Sequence, residues 1–290
     1  MAVELIGRRK FFKYLAGAAG LLLLGKYTRT SLAFTGTEKT TGQTITETTE
    51  QVIDGAGTVV DQGNKFAMVI DVGACIGCRT CVWACKEENK IPDSISPPWI
   101  EAFELDSGGN VTGHPSPQDL KKGATTSYTV SPREGKWYLT AHCNHCDNPP
   151  CVKVCPTGAT YKNREDGLVL MDYDRCIGCR LCVVACPYNA RRFNWLKPEV
   201  PSEETNPLVP VRPLGVVEKC TFCVHRTRRG NLPRCVEVCP VRAKHFGNIN
   251  DPNSEVAKIL KVNLSFRLLE EVSTEPSGWY VTRGKKWIEK

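Results

Sequence analysis

The sequence predicts an α+β fold made by duplicating one small module, with short hairpins and one-turn helices set between cysteine loops. Three observations predict it. Sixteen cysteines fall into four groups of four with none left over. Three of those groups end in Cys-Pro, at Pro156, Pro187 and Pro240, with Lys86 in that place in the first. The 290 residues hold only 8% aromatic side chains beside 24 glycines and 19 prolines. A chain of this length can bury a core, but one so rich in turn formers and poor in aromatics needs a further source of cohesion.

Residues 1–33 come first. Arg8, Arg9, Lys10, Phe11, Phe12 and Lys13 precede an apolar run from Tyr14 to Gly25, too short to span a bilayer comfortably, with small residues at Ser31 and Ala33 beyond it. This resembles a twin-arginine (Tat) signal peptide, with Gly7 where Ser or Thr is usual. It is expected to act as a signal peptide or as a retained anchor. Gly20 to Lys26 mimics a phosphate loop, but Tyr27 stands where magnesium needs a hydroxyl and no strand precedes it. Six basic residues against Glu4 place +5 of the formal +7 in this leader and leave +2 for the rest. Nucleic acid is therefore excluded as a partner, because binding it needs a basic patch on the folded body. Residues 34–64, rich in Thr, Gly, Gln and Glu, read as a flexible tether. No later segment reaches the length of a membrane span, so membrane association is expected through the N-terminus or through partners.

The body, expected over residues 65–250, carries the cysteines. The first group is Cys75, Cys78, Cys81 and Cys85, and the second is Cys143, Cys146, Cys151 and Cys155. The third is Cys176, Cys179, Cys182 and Cys186, and the fourth is Cys220, Cys223, Cys235 and Cys239. Disulfides, zinc and iron-sulfur clusters compete for such a set. Cysteines packed this densely suit wrapping a cofactor better than stapling distant loops, and zinc ribbons use paired CxxC knuckles around one ion. Groups one and three instead match the bacterial ferredoxin run CxxCxxCxxxC, in which three thiolates bind one cubane and the fourth reaches its neighbour. Four groups of four ligands match four 4Fe-4S clusters, and each pair of groups makes one two-cluster ferredoxin module with loop insertions.

Between the second and third groups, Gly167 sits in a turn between two strand-like runs, as a hairpin requires. The stretches 87–142 and 191–219 exceed what a minimal ferredoxin needs and are expected to form partner interfaces. Residues 251–290 form a C-terminal extension, helical in part, expected to wrap the body or dock a partner. Such small cores depend on their metal for stability.

"CVWACKEEN", "CDNPPCVKVCPTGA", "RCIGCRLCVVACPYNARRF" and "EKCTFCVHR" together resemble the four-cluster electron-transfer subunits of the complex iron-sulfur molybdoenzyme family, over roughly residues 66–250. Within it, a Tat-like leader without a C-terminal span is similar to the iron-sulfur subunit of the Dsr sulfite-reduction-associated membrane complex and to the tetrathionate reductase beta subunit. The resemblance implies that group one shares a cluster pair with group four, and two with three. Cys75, Cys78, Cys81 and Cys239 would hold one cluster, and Cys220, Cys223, Cys235 and Cys85 the next. Cys143, Cys146, Cys151 and Cys186 would hold the third, and Cys176, Cys179, Cys182 and Cys155 the last. It also implies assembly inside the cell and export of the loaded protein by the Tat route to the periplasmic face of the membrane.

The function so implied is a non-catalytic wire. Single electrons pass between an integral membrane quinone-reactive subunit and a further redox subunit, such as a cytochrome c or a molybdopterin subunit. The alternative is the beta subunit of a molybdopterin oxidoreductase acting on tetrathionate or polysulfide. Fully ligated cubanes leave no open site for substrate. A self-contained enzyme is disfavoured by the absence of a dinucleotide fingerprint and of a nucleophile-base pair. Cubanes with their thiolates carry about −2 each, bringing the loaded body to about −6, which Arg79, Arg180, Arg191, Arg192, Arg226, Arg228 and Arg229 could offset, the alternative for each being an ordinary solvated basic face. His142, His145 and His225 flank the groups and are expected to support ligands rather than to ligate. Trp83, Trp99, Trp137 and Trp195 are expected to pack over loops.

Overall fold

The computed structural model describes residues 63–95, 97–113, 132–198 and 206–283; the expected leader and nearly all of the tether lie outside them. Among the described residues no helix is long and apolar enough to cross a membrane.

Strand β1 (Phe66–Asp71) leads into the first cysteine group, whose helix is α1 (Thr80–Glu88). Strands β2 (Glu101–Leu105), β3 (Val111–Gly113) and β4 (Trp137–Ala141) follow, then α2 (Pro150–Lys153) in the second group. The expected hairpin is β5 (Thr160–Lys162) and β6 (Val169–Met171), with Gly167 left-handed at φ 70 in its turn. Helix α3 (Leu181–Val184) belongs to the third group; β7 (Arg192–Phe193) and β8 (Val217–Glu218) lead to α4 (Val224–Thr227) and α5 (Arg234–Glu237) in the fourth. Strand β9 (Lys244–Asn248), helix α6 (Glu255–Val262) and strands β10 (Ser265–Phe266) and β11 (Gly278–Val281) come last.

Strand pairing decides which cysteine groups meet. β1, before group one, pairs antiparallel with β9, after group four. β5, after group two, pairs antiparallel with β6, before group three. Each pairing draws the loops at its strand ends together, so group one faces group four and group two faces group three. Helix packing follows the same rule, α1 against α5 and α2 against α3. The two halves are tied by β2 to β4 between groups one and two, and by β7 to β8 between groups three and four.

The principal sheet runs β10-β11-β1-β9. In β1, FAMVID, all but the first residue are buried, as in a central strand covered on both faces. Met68 and Ile70 face a core that contains Cys81, Cys85, Cys143, Cys220, Cys235, Phe222 and Tyr280. Val69 faces the other way with Val281, onto Val256 and Ile259 of α6. The amphipathic stretch 255–262 forms that helix because Ser254 caps it, its side chain accepting from the Ala257 N–H at 3.1 Å. The C-terminal residues thus complete the sheet: β11 runs parallel to β1, and Arg283 Nε donates to Asp71 Oδ2 at 2.6 Å.

A buried polar network sits under the fourth group. Glu218, fully buried, accepts from Trp99 Nε1 at 2.8 Å, Asn194 Nδ2 at 3.0 Å and Arg212 Nε at 2.9 Å. Glu218→Ala leaves the guanidinium of Arg212, 2% exposed, without its counter-ion, and is expected to cost about 3–5 kcal/mol. The check is an earlier midpoint in anaerobic urea unfolding, with Glu218→Gln intermediate.

Candidate metal centre

Each cysteine loop turns at the same place. The residue before the second cysteine is left-handed in all four groups: Gly77 at φ 71, His145 at 43, Gly178 at 68 and Phe222 at 52. That conformation reverses the chain so that successive thiols point inward. The two bulky occupants, both buried, stack on one another, rings 3.9 Å apart and 19° from parallel. His145 Nδ1 accepts from the Val169 N–H at 3.1 Å, so its Nε2 donates to the Cys220 carbonyl at 3.0 Å. Burial, then the nearby Lys219 ammonium, holds its pKa well below the ordinary value, and the ring is neutral. Prolines start the helices of the even groups, with Pro150 in the first turn of α2 and Pro233 capping α5.

These loops bring the thiols into neighbouring sets. Burial pushes the Cys75 thiol up to about 12, with Cys81 and Cys239 close enough to add to the effect; Cys81, also raised by burial, feels Cys78 and Cys239. Burial raises the Cys85 thiol well above its ordinary value, with Cys220, Cys223 and Cys235 close enough to add to the effect. Burial takes Cys146 to about 12, with Cys143, Cys151 and Cys186 beside it. Cys182 is raised by burial, with Cys151 and Cys176 nearby. The sets also adjoin one another: Cys81 lies beside Cys85 and Cys235, Cys143 beside Cys220, and Cys151 beside Cys182. Cys155 differs. Its slight burial is outweighed by the Thr160 N–H at 3.4 Å and by Thr157, which hold its thiol below the ordinary range. Cys179 alone among the sixteen is exposed.

A buried thiol ionises unwillingly, yet a thiolate is what iron takes, so metal entry must expel protons that burial otherwise retains. The surroundings fit an anionic metal group. Lys244 Nζ is buried with no hydrogen-bond partner, as is Nη2 of Arg191. Against the cost of burial, the neighbouring Cys81, Cys235, Cys75 and Cys239 raise the pKa of Lys244, and Cys151, Cys182 and Cys143 raise that of Arg191, as negative charge on those sulfurs would. None of the sixteen cysteines is in a disulfide. Among the described residues no group of three or more His, Cys, Asp or Glu is placed to hold a single metal ion.

Other residues singled out from sequence are distributed as follows. Arg191 turns toward the thiols. Arg192 pairs with Glu101, Arg226 with Glu88 and Glu237, and Arg228 with Asp166. Arg180 lies over the rings of Phe193 and Trp195. His142, buried, bonds the Cys143 carbonyl through Nδ1 at 2.9 Å, and His225 Nε2 meets Glu88 at 2.8 Å. Sequence reasoning missed Lys244, an isolated cation in a stretch read as the end of the body.

A protein built around buried thiol sets of this kind is an iron-sulfur protein of the ferredoxin type. The 4Fe-4S dicluster domain family matches it twice, over residues 136–201 and 175–243. It is 44% identical over 232 residues to the putative dimethyl sulfoxide reductase iron-sulfur subunit of Halobacterium salinarum, covering 78% of this chain and 84% of that one. It is 39% identical over 252 residues to the Hdr-like menaquinol oxidoreductase iron-sulfur subunit 1 of Archaeoglobus fulgidus, covering 78% and 86%. The menaquinone reductase iron-sulfur cluster-binding subunit of Nitratidesulfovibrio vulgaris is likewise 39% identical over 252 residues, covering 77% and 91%. The chain is a member of the family of ferredoxin-type iron-sulfur beta subunits of oxidoreductase complexes. It carries 4Fe-4S clusters, and its work is electron transfer.

Proposed function

We propose that the chain holds four 4Fe-4S clusters in a row and relays single electrons between a membrane quinone-reactive subunit and a further redox subunit of a respiratory complex. The ligand sets proposed are Cys75, Cys78, Cys81 and Cys239; Cys85, Cys220, Cys223 and Cys235; Cys143, Cys146, Cys151 and Cys186; and Cys155, Cys176, Cys179 and Cys182. When bound, each cluster supplies a one-electron couple with no open coordination position. The observation that carries this reading is the unbroken succession of adjoining thiols, from Cys81 beside Cys85, through Cys220 beside Cys143, to Cys151 beside Cys182.

The far end of that succession supports a docking role. Around the exposed Cys179 stand Ile177, Val184, Trp195 and Leu196, 67%, 86%, 64% and 61% exposed. So much apolar surface beside a ligand loop suits burial against a partner. The stretches 87–142 and 191–219, read as insertions, would widen such interfaces. Quinone chemistry at one terminus is supported by relatives named for menaquinol and menaquinone. A second reading, the beta subunit of a molybdopterin oxidoreductase, is supported by similarity to the B subunits of tetrathionate reductase from Salmonella typhimurium and of polysulfide reductase from Wolinella succinogenes, at 39% and 36% identity. Either way the 1–33 leader would direct Tat export, placing the body on the periplasmic face and attaching it through partners or the N-terminus.

Purified anaerobically with its native partners, the chain is expected to contain about sixteen irons and sixteen labile sulfides, four of each per cluster. Stepwise reduction should develop four one-electron EPR signals. Half that iron, with two signals, would refute the four-cluster relay, and the identity of the co-purifying subunits separates the two readings.

A further inference from the structure

Two side chains occupy equivalent places in the two cysteine pairs. Lys244 lies five residues beyond Cys239 in Cys-Pro-Val-Arg-Ala-Lys, and Arg191 lies five residues beyond Cys186 in Cys-Pro-Tyr-Asn-Ala-Arg. In both, the intervening alanine N–H turns back to the cysteine sulfur; for Ala243 onto Cys239 Sγ the distance is 3.2 Å. Both cations are buried, 4% and 2% exposed. Lys244 pairs in register with Ile70, and Phe246 with Met68, so Lys244 shares the sheet face that covers the cysteine core. Its Nζ has no acceptor there. Arg191 Nη1 donates to Thr160 Oγ1 at 3.1 Å and to Met171 Sδ at 3.2 Å, Nη2 has no nitrogen or oxygen acceptor, and the guanidinium reaches toward the Cys151 and Cys182 sulfurs. Among the described residues neither forms an ion pair with a carboxylate.

Unpaired cations are seldom buried, because the lost hydration is not recovered. Their position resolves the difficulty. Lys244 is near Cys75, Cys81, Cys235 and Cys239, thiols drawn from two adjoining sets, and Arg191 is near Cys143, Cys151 and Cys182, again from two. We propose that Lys244 and Arg191 are counterpart positioning residues, one for each cluster pair, whose fixed positive charge raises the reduction potentials of the two clusters flanking it. Uptake of one electron adds one negative charge beside a cation that keeps its own, and no proton is taken up, so the reduced form gains. This rests on the four-cluster reading and its ligand sets.

The test is EPR-monitored redox titration of the purified holo-complex carrying Lys244→Met or Arg191→Met, with Lys244→Arg and Arg191→Lys as charge-keeping controls. Removing Lys244's charge is expected to lower the reduction equilibrium of two of the four clusters by on the order of tenfold each, equivalent to about 59 mV for one electron. Arg191→Met should do the same to the other two. The charge-keeping variants should stay close to the parent protein. Four signals with unmoved potentials, equal shifts across all four, or matching shifts in the charge-keeping variants would overturn the inference and leave the relay intact. Loss of iron in both methionine variants would overturn it too, assigning the cations a structural role. Fewer than four signals in the parent protein would refute the relay itself.

Discussion

Anaerobic removal of iron is expected to unfold the body rather than yield a folded apoprotein. Cys81, Cys85, Cys143, Cys220 and Cys235 belong to the main buried cluster, alongside aliphatic residues such as Met68, Ile70 and Leu168. The helices that carry the thiols are too short to persist unaided: α2, α3, α4 and α5 have four residues each, far below the dozen or so an isolated helix needs. With iron gone, buried thiols must take up protons, and Lys244 and Arg191 lose the negative charge that offsets their burial. Domains of this size are stable by only about 5–15 kcal/mol, and metal binding in such cores is folding free energy. Far-UV circular dichroism and limited proteolysis, before and after chelation with thiols kept reduced, should show loss of the β1-centred sheet and cleavage throughout. An iron-free protein with unchanged dichroism and unchanged protease resistance would contradict this account.

The same dependence on metal explains what could be read from the chain and what could not. Cysteine spacing is a local signal, because each loop is built from consecutive residues and fixed by a turn at the residue before its second cysteine. The β5–β6 hairpin around Gly167 was legible for the same reason. Long-range closure was not. β11, Gly-Trp-Tyr-Val, lies some two hundred residues from β1, and four residues of ordinary composition carry no mark of a parallel partner. His145 could be recognised as a neighbour of the ligands, but its place in the stack with Phe222 depends on the two halves meeting. Trp99, expected to pack over a loop, is held by a hydrogen bond to Glu218. Lys244 was hidden by context rather than distance. A single lysine after a Cys-Pro turn reads as surface until Arg191 is set at the same offset in the other half.

Replacing Gly178 by alanine is expected to abolish the loop that carries Cys176, Cys179 and Cys182. The residue is left-handed at φ +68, and a Cβ there would stand 2.1 Å from the carbonyl oxygen of Gly215 and 3.3 Å from Phe193. The obstructing atom is backbone, in the connection that leads into β8, and cannot rotate away. Gly158, at φ +67 with nothing within 4 Å of the added carbon, separates the two penalties. Gly158→Ala should cost only the left-handed strain, about 1–2 kcal/mol, and keep all its iron. Gly178→Ala adds a backbone displacement to the same strain, and its total should exceed the roughly 4–5 kcal/mol that marks an exceptional substitution. The expected result is selective loss of four irons and one EPR signal. Gly77→Ala, whose Cβ would meet the buried ring of Tyr138 at 2.3 Å, should do the same to the set at the opposite end. If Gly178→Ala and Gly158→Ala retained iron equally, the close approach of the third loop to Gly215 would have no part in shaping the site. Loss from every set at once would instead mean that the four loops fold as a single unit, with no autonomy between the ends.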